Sequence, residues 1–140
     1  MLIVDTGVLV AATDRSDPHH TSCARLLEAE TEQLVTTAMV IAESAYLIDR
    51  ELGPQAEATL YQSITDGQLR IDALTTQDWQ RVHDLVIDYA NLRLGGTDAS
   101  LIALAERHRT QRIATLNLRH FAVVRPSHID AFTLLPSAHS

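Results

Sequence analysis

Three acidic residues stand beside apolar neighbours, where their chemistry needs an explanation. Asp5 directly follows the apolar run Leu2-Ile3-Val4. Glu43 has Met39, Val40, Tyr46 and Leu47 one helical turn before and after it, the positions that share one face of a helix. Asp98 follows Gly95-Gly96-Thr97 and has Leu101 and Ile102 one turn on. An unpaired carboxylate on an apolar face costs several kcal/mol or takes up a proton. Three of them brought together would repel, and at least one would stay protonated at neutral pH. A hard divalent cation removes that repulsion, because Mg²⁺ takes oxygen ligands and keeps several of its waters. Such a site, when loaded, acidifies a water and neutralises phosphate charge, which suits phosphodiester hydrolysis. Histidine sites are poorer candidates: the seven His include no pair at helical ligand spacing and no Cys/His cluster.

Each acid also has an ordinary structural explanation. Asp5 can cap a short helix over Thr6–Ala12. Glu43 can pair with a buried arginine. Asp98, in the first turn of a helix, gains roughly 0.3–1 kcal/mol from the helix dipole. What distinguishes the three is that each stands at the entrance or on the apolar face of an element.

Those elements follow from local pattern. Leu2–Val4 predicts a buried strand. Asp17-Pro18 predicts an N-cap and first-turn proline for a helix carrying Cys23, Leu26 and Leu27. Leu34–Thr36 predicts a second strand, and Thr37 caps a helix that Gly53-Pro54 stops after Leu52. A further helix reaches about Asp66, where Asp66-Gly67 marks a turn. Leu69–Asp72 alternates like a strand, and Thr75 or Thr76 opens a helix through Trp79, Val82, Leu85, Val86 and Tyr89. After Gly95-Gly96, Thr97 caps a helix to about His108; Arg112–Leu116 and Phe132–Leu135 predict the last strands. Strands separated by helices pair in parallel, so the fold class is α/β: a sandwich with a central, mainly parallel sheet of four to five strands flanked by helices. In such sheets ligands bind at the carboxyl edge, where Asp5 would stand.

The 140 residues make one domain, 1–140, with apolar residues at 46% and charged residues at 21%, a globular balance and not a disordered one. No apolar run reaches the length of a membrane span, and the single Cys23 leaves no internal disulfide; a cytoplasmic, membrane-free protein is expected. All eleven basic residues are arginine. Residues 1–106 carry six Arg against seventeen acids, whereas residues 107–140 carry five Arg against Asp130 alone. A net charge of −7 opposes general polyanion binding, while the arginine-rich end is either a phosphate-contacting patch or a solvated surface.

In order and spacing, Leu-Ile-Val-Asp-Thr-Gly at 2–7, Val-Ile-Ala-Glu at 40–43, Gly-Thr-Asp-Ala-Ser at 96–100 and Ala-Thr-Leu-Asn-Leu-Arg-His-Phe at 114–121 resemble the PIN-domain family, and more closely its VapC-type toxins. The resemblance covers nearly the whole chain. It implies a three-layer sandwich and an acidic pocket for Mg²⁺ or Mn²⁺ that supports endoribonuclease activity on structured RNA, tRNA or rRNA. Asp5, Glu43 and Asp98 match the family's catalytic, metal-holding acids, with Asp5 and Asp98 as direct ligands. Where the family often has a fourth acid, this chain has Asn117, which brings no charge and puts a second metal ion in doubt. The resemblance further implies that Asn117, Thr6 and Thr97 orient water or phosphate, that Arg112, Arg119 and Arg125 contact RNA phosphates, and that partners are a cognate antitoxin and a second copy in a homodimer.

Three other readings compete. Asp5-Thr6-Gly7 is also the triplet of aspartic proteases, but those folds are rich in β-structure and this chain is rich in amphipathic helices. Asn117 sustains a degenerate PIN module that binds RNA or a partner protein without cleavage. The plainest alternative makes all three acids structural. Trp79 and Cys23 read as packing residues, Tyr46 as a pocket wall.

Overall fold

A computed structural model describes residues 1–137. Five three-residue strands, β1 (Leu2–Val4), β2 (Leu34–Thr36), β3 (Leu69–Ile71), β4 (Arg112–Ala114) and β5 (Thr133–Leu135), form one sheet. Their order is β3-β2-β1-β4-β5 and every pairing is parallel. The helices are α1 (Thr6–Thr13), α2 (His20–Ala29), α3 (Ala38–Leu52), α4 (Pro54–Thr65), α5 (Thr76–Asp88), α6 (Gly96–His108) and α7 (Leu118–Val123), with a 3-10 turn at Ala90–Leu92. They flank the sheet to give the expected three-layer sandwich. In β1, Leu2, Ile3 and Val4 are all fully buried, as a parallel strand covered on both faces requires.

The chain steps outward from β1 to β2 to β3, then returns through α5 and α6 to β4 on the other side of β1. Strand order therefore reverses between β1 and β4. The crevice beyond the carboxyl ends of those two strands is the position at which open α/β sheets bind ligands.

Local chemistry accounts for most boundaries. Thr37 caps α3 by accepting the Val40 N–H at 3.4 Å, and its hydroxyl meets Ser100 Oγ at 2.9 Å, tying α3 to α6. Gly53, at φ 91°, ends α3 in a conformation that favours glycine, and Pro54 opens α4. Thr75 and Asp78 form a reciprocal capping box at the start of α5. In α6 every residue from Ala99 to Ala105 is buried, so this helix is covered nearly all round and anchors the core.

Several local expectations are corrected. Asp17 does not cap α2: the helix starts at His20, and Asp17 instead accepts the His19 N–H at 2.8 Å in the preceding turn. Thr97 does not cap α6 either, because the helix already includes Gly96 and its N-cap is Gly95. β4 ends at Ala114, and the short helix α7, which the sequence pattern does not predict, occupies Leu118–Val123. Trp79 is 50% exposed and not core, since the buried stripe of α5 runs through Asp78, Val82 and Leu85. Cys23 is a buried free thiol among packed residues.

Candidate active site

Asp5 leaves the sheet at the end of β1 and caps α1. Its Oδ1 accepts the Thr6 N–H at 2.7 Å, and its Oδ2 accepts the Thr115 hydroxyl at 2.7 Å. Thr115 stands one residue beyond β4, so this second bond bridges the point where strand order reverses. Thr115 Oγ1 in turn accepts the Asn117 N–H at 2.9 Å, which leaves its hydroxyl proton for Asp5. Asp5 is only 5% exposed. Burial pushes its carboxyl up from an ordinary 3.8 to about 6; the Thr115 hydroxyl and the Thr6 amide act the other way, while the negative charges of Asp98 and Glu43 add to the rise.

Asp98 sits in the first turn of α6. Its Oδ2 accepts the Asn117 side-chain amide at 3.1 Å and lies 2.8 Å from His120 Nδ1. Asn117 is the N-cap of α7, and its Oδ1 faces the His120 N–H at 3.5 Å. The two nitrogens are 2.9 Å apart, so a proton on Nδ1 completes a bond to Asp98, whereas an unprotonated Nδ1 accepts from Asn117.

These groups line one open pocket of about 540 Å³, which Asp5, Thr6, Glu43, Arg93, Thr97, Asp98, Asn117 and His120 share with Gly7, Gly95, Gly96 and Leu116. The three sequence-predicted acids are therefore brought together. Glu43 reaches the pocket differently from expectation: it is exposed, not on the core face, because the buried stripe of α3 is Val40, Ile41, Ser44, Ala45 and Ile48. One helical step off that stripe, its carboxylate remains hydrated at the rim.

The pocket has the charge that a cation site needs. Among the described residues, no group of three or more His, Cys, Asp or Glu side chains is gathered tightly enough to hold a metal ion by itself. A water-rich ion such as Mg²⁺ suits the looser arrangement, since it is commonly held through one or two carboxylates and retained waters. The Asp5 carboxylate, buried and repelled by two further carboxylates, gains from any cation that enters. Thr6 also lines this space, and its Oγ1 is buried with no hydrogen-bond partner among the described residues.

A family model described as PIN domain matches residues 2–125. The chain belongs to the PIN-domain family. It is 30% identical over 135 residues to Ribonuclease VapC26 of Mycobacterium tuberculosis, a match covering 96% of this chain and 100% of that relative. Among solved structures it is similar to the M. tuberculosis VapC20, a sarcin-ricin loop cleaving toxin, with TM-score 0.75 and 18% identity over 81% of this chain and 87% of that one. A toxin–antitoxin complex from Klebsiella pneumoniae matches with TM-score 0.68 and 21% identity over 92% of this chain and 100% of its own.

Within this PIN domain Thr6, Thr97 and Asn117 reach the pocket, but the three predicted arginines do not line it. Arg112 opens β4 at the amino ends of the strands, where its guanidinium forms a two-pronged pair with Glu30 and a further contact to Glu32 at 3.0 Å. It is a structural ion pair on the edge away from Asp5. Arg119 is exposed on α7, and Arg125 belongs to a separate hollow with Ser127, His128 and Asp130. Tyr46 is 65% exposed over the Arg50 guanidinium and does not line the pocket.

Sequence reasoning missed Arg93 and His120 as pocket residues, and Thr115 as the partner of Asp5. The Asn117-x-x-His120 spacing at a helix start was the available signal for His120. Arg93 had none, since its place depends on how the 3-10 turn meets α6.

Proposed function

We propose that this PIN-domain chain is a metal-dependent endoribonuclease of the VapC type, the cytoplasmic toxin of a type II toxin–antitoxin pair, acting on structured RNA. The observation that carries the reading is the convergence of Asp5, Glu43 and Asp98 on one pocket at the carboxyl edge between β1 and β4. The near full-length likeness to a ribonuclease supports it, and likeness to a toxin–antitoxin complex supports an antitoxin partner. A homodimer and a tRNA or rRNA substrate are part of the proposal.

Asp5 and Asp98 would hold Mg²⁺ or Mn²⁺, with Glu43 at the rim holding the ion or its waters. When bound, the ion supplies an acidified water and a positive charge facing the phosphate. The protein's own part is positional. Thr115 and the Thr6 amide fix both oxygens of Asp5, Asn117 and His120 fix Oδ2 of Asp98, and Oδ1 of Asp98 has no hydrogen bond among the described residues. Thr6 and Thr97 line the same pocket, where they would stand beside water or phosphate.

Magnesium titration by calorimetry, wild type beside Asp98→Asn, with RNA cleavage scored in parallel, tests this reading. Metal binding and cleavage, both lost in Asp98→Asn, are expected. A folded wild type that binds no Mg²⁺ refutes it. Asn117, an uncharged amide donating to Asp98, favours one alternative: a PIN module that binds RNA or a partner protein without cutting. Metal and RNA binding without turnover on tRNA or rRNA is its signature.

A further inference from the structure

The two oxygens of Asp98 have unlike surroundings. Oδ2 accepts the Asn117 side-chain amide at 3.1 Å and lies 2.8 Å from His120 Nδ1, whereas Oδ1 has no hydrogen bond among the described residues. His120 Nδ1 is also 2.9 Å from Asn117 Nδ2. In either tautomer this nitrogen has no lone pair left for an ion. With its proton it donates to Asp98, and without it it accepts the second amide hydrogen of Asn117. Asn117 is itself held at two points, by its N–H on the Thr115 hydroxyl and by its Oδ1 at the cap of α7. The side of Asp98 toward α7 is therefore taken up by N–H donors.

Two divalent ions acting on one phosphate stand roughly 3.5–4 Å apart, and their mutual repulsion needs a carboxylate that faces both. None of the three acids is placed to do so. Asp5 is 5% exposed and already accepts a hydrogen bond on each oxygen, from Thr6 and Thr115. Glu43 stands exposed at the rim. Asp98 has donors beside Oδ2, and a second cation there would meet their positive ends. Charge agrees with this count. Three carboxylates and the Arg93 guanidinium line the pocket, a net of two negative charges that one divalent ion balances.

We propose that Asn117 and His120 close the Oδ2 side of Asp98 and so hold the pocket to a single divalent ion, taken through Oδ1. This ion count rests on the metal-dependent reading above. His120 is a positioning residue, acting through Asp98. Asn117 puts a donor where an acid would repel Asp98 and draw in a second cation.

The probe is Mn²⁺ added to the metal-free protein and followed by electron paramagnetic resonance, which separates an isolated ion from a pair whose spins couple at about 4 Å. Wild type should give the isolated-ion spectrum alone up to saturation. His120→Ala should keep that spectrum and bind Mn²⁺ about tenfold more weakly, since Asp98 loses an outer partner. Asn117→Asp combined with His120→Ala removes both donors and adds a carboxylate. It should take up a second Mn²⁺ and give the coupled spectrum. Aspartate caps a helix as well as asparagine does, so α7 should persist in that variant, which thermal melting checks. A coupled pair in wild type overturns the single-ion site and leaves the metal-dependent reading standing. A folded double variant that still shows only the isolated ion overturns it too, because another feature then sets the count. His120→Ala with wild-type affinity overturns the part given to His120. A wild type that binds no Mn²⁺ overturns the metal-dependent reading and the single-ion site with it. The wild-type spectrum decides the ion count even where a variant fails to fold.

Discussion

Asp5→Asn should stabilise the metal-free protein at neutral pH, and the gain should disappear in acid. The folded carboxyl holds its proton to about pH 6, while the unfolded chain releases it near 3.8. A group that binds its proton more tightly when folded subtracts stability above the folded value and nothing below the unfolded one. At 1.36 kcal/mol per pH unit, the shift amounts to about 3 kcal/mol lost by wild type between pH 4 and pH 6. Asparagine does not titrate, but its amide NH₂ must face either the Thr6 N–H or Thr115, which costs about 1 kcal/mol of hydrogen bonding. The variant should therefore be the more stable by about 2 kcal/mol at pH 7 and slightly the less stable at pH 4. Urea midpoints measured in EDTA at several pH values give the comparison directly. Saturating Mg²⁺ at a hundred times its dissociation constant should return about 2.7 kcal/mol to wild type and little to Asp5→Asn. A gap between the two proteins that does not change from pH 4 to pH 7 refutes the reasoning.

Two further outcomes follow from the geometry. Arg112→Ala strips the nearly buried Glu30 carboxylate of its guanidinium; it should cost about 1–3 kcal/mol in urea denaturation and leave RNA affinity unchanged, the reverse of a phosphate contact. Thr115→Val removes the hydroxyl bond to Asp5 and the acceptor for the Asn117 N–H, so it should weaken Mg²⁺ binding in calorimetry and raise the apparent pKa of the pocket further, at a stability cost of about 1–3 kcal/mol.

Much of the site was legible in the chain because it depends on near neighbours. An acid after a three-residue apolar strand is carried to the sheet's carboxyl edge whatever the rest does, and Asp5 is there. Asp98 needed only Gly95-Gly96 to place it in a helix's first turn. Glu43 shows where this reasoning weakens. Apolar residues one turn away put it on the core face, but Tyr46 among them is itself exposed, and the buried stripe of α3 lies one step round. Trp79 fails for the same reason: hydrophobicity says that a side chain gains from burial, not that a partner surface is present.

The sequence by itself determined the five strands and every helix but α7, the parallel α/β class and three acids at element ends or faces, since hydrophobic period, caps and breakers act over a few residues. Only the tertiary structure decided the order β3-β2-β1-β4-β5, and with it that Asp5 and Thr115 meet across the reversal between β1 and β4. It also decided which arginines are free. Arg112 meets Glu30, eighty-two residues earlier in the chain, through the packing around the sheet, while Arg93 arrives at the acidic pocket with no ion pair among the described residues. Charge counted along the chain cannot distinguish the two, because ion pairing is a matter of which side chains the fold brings within reach.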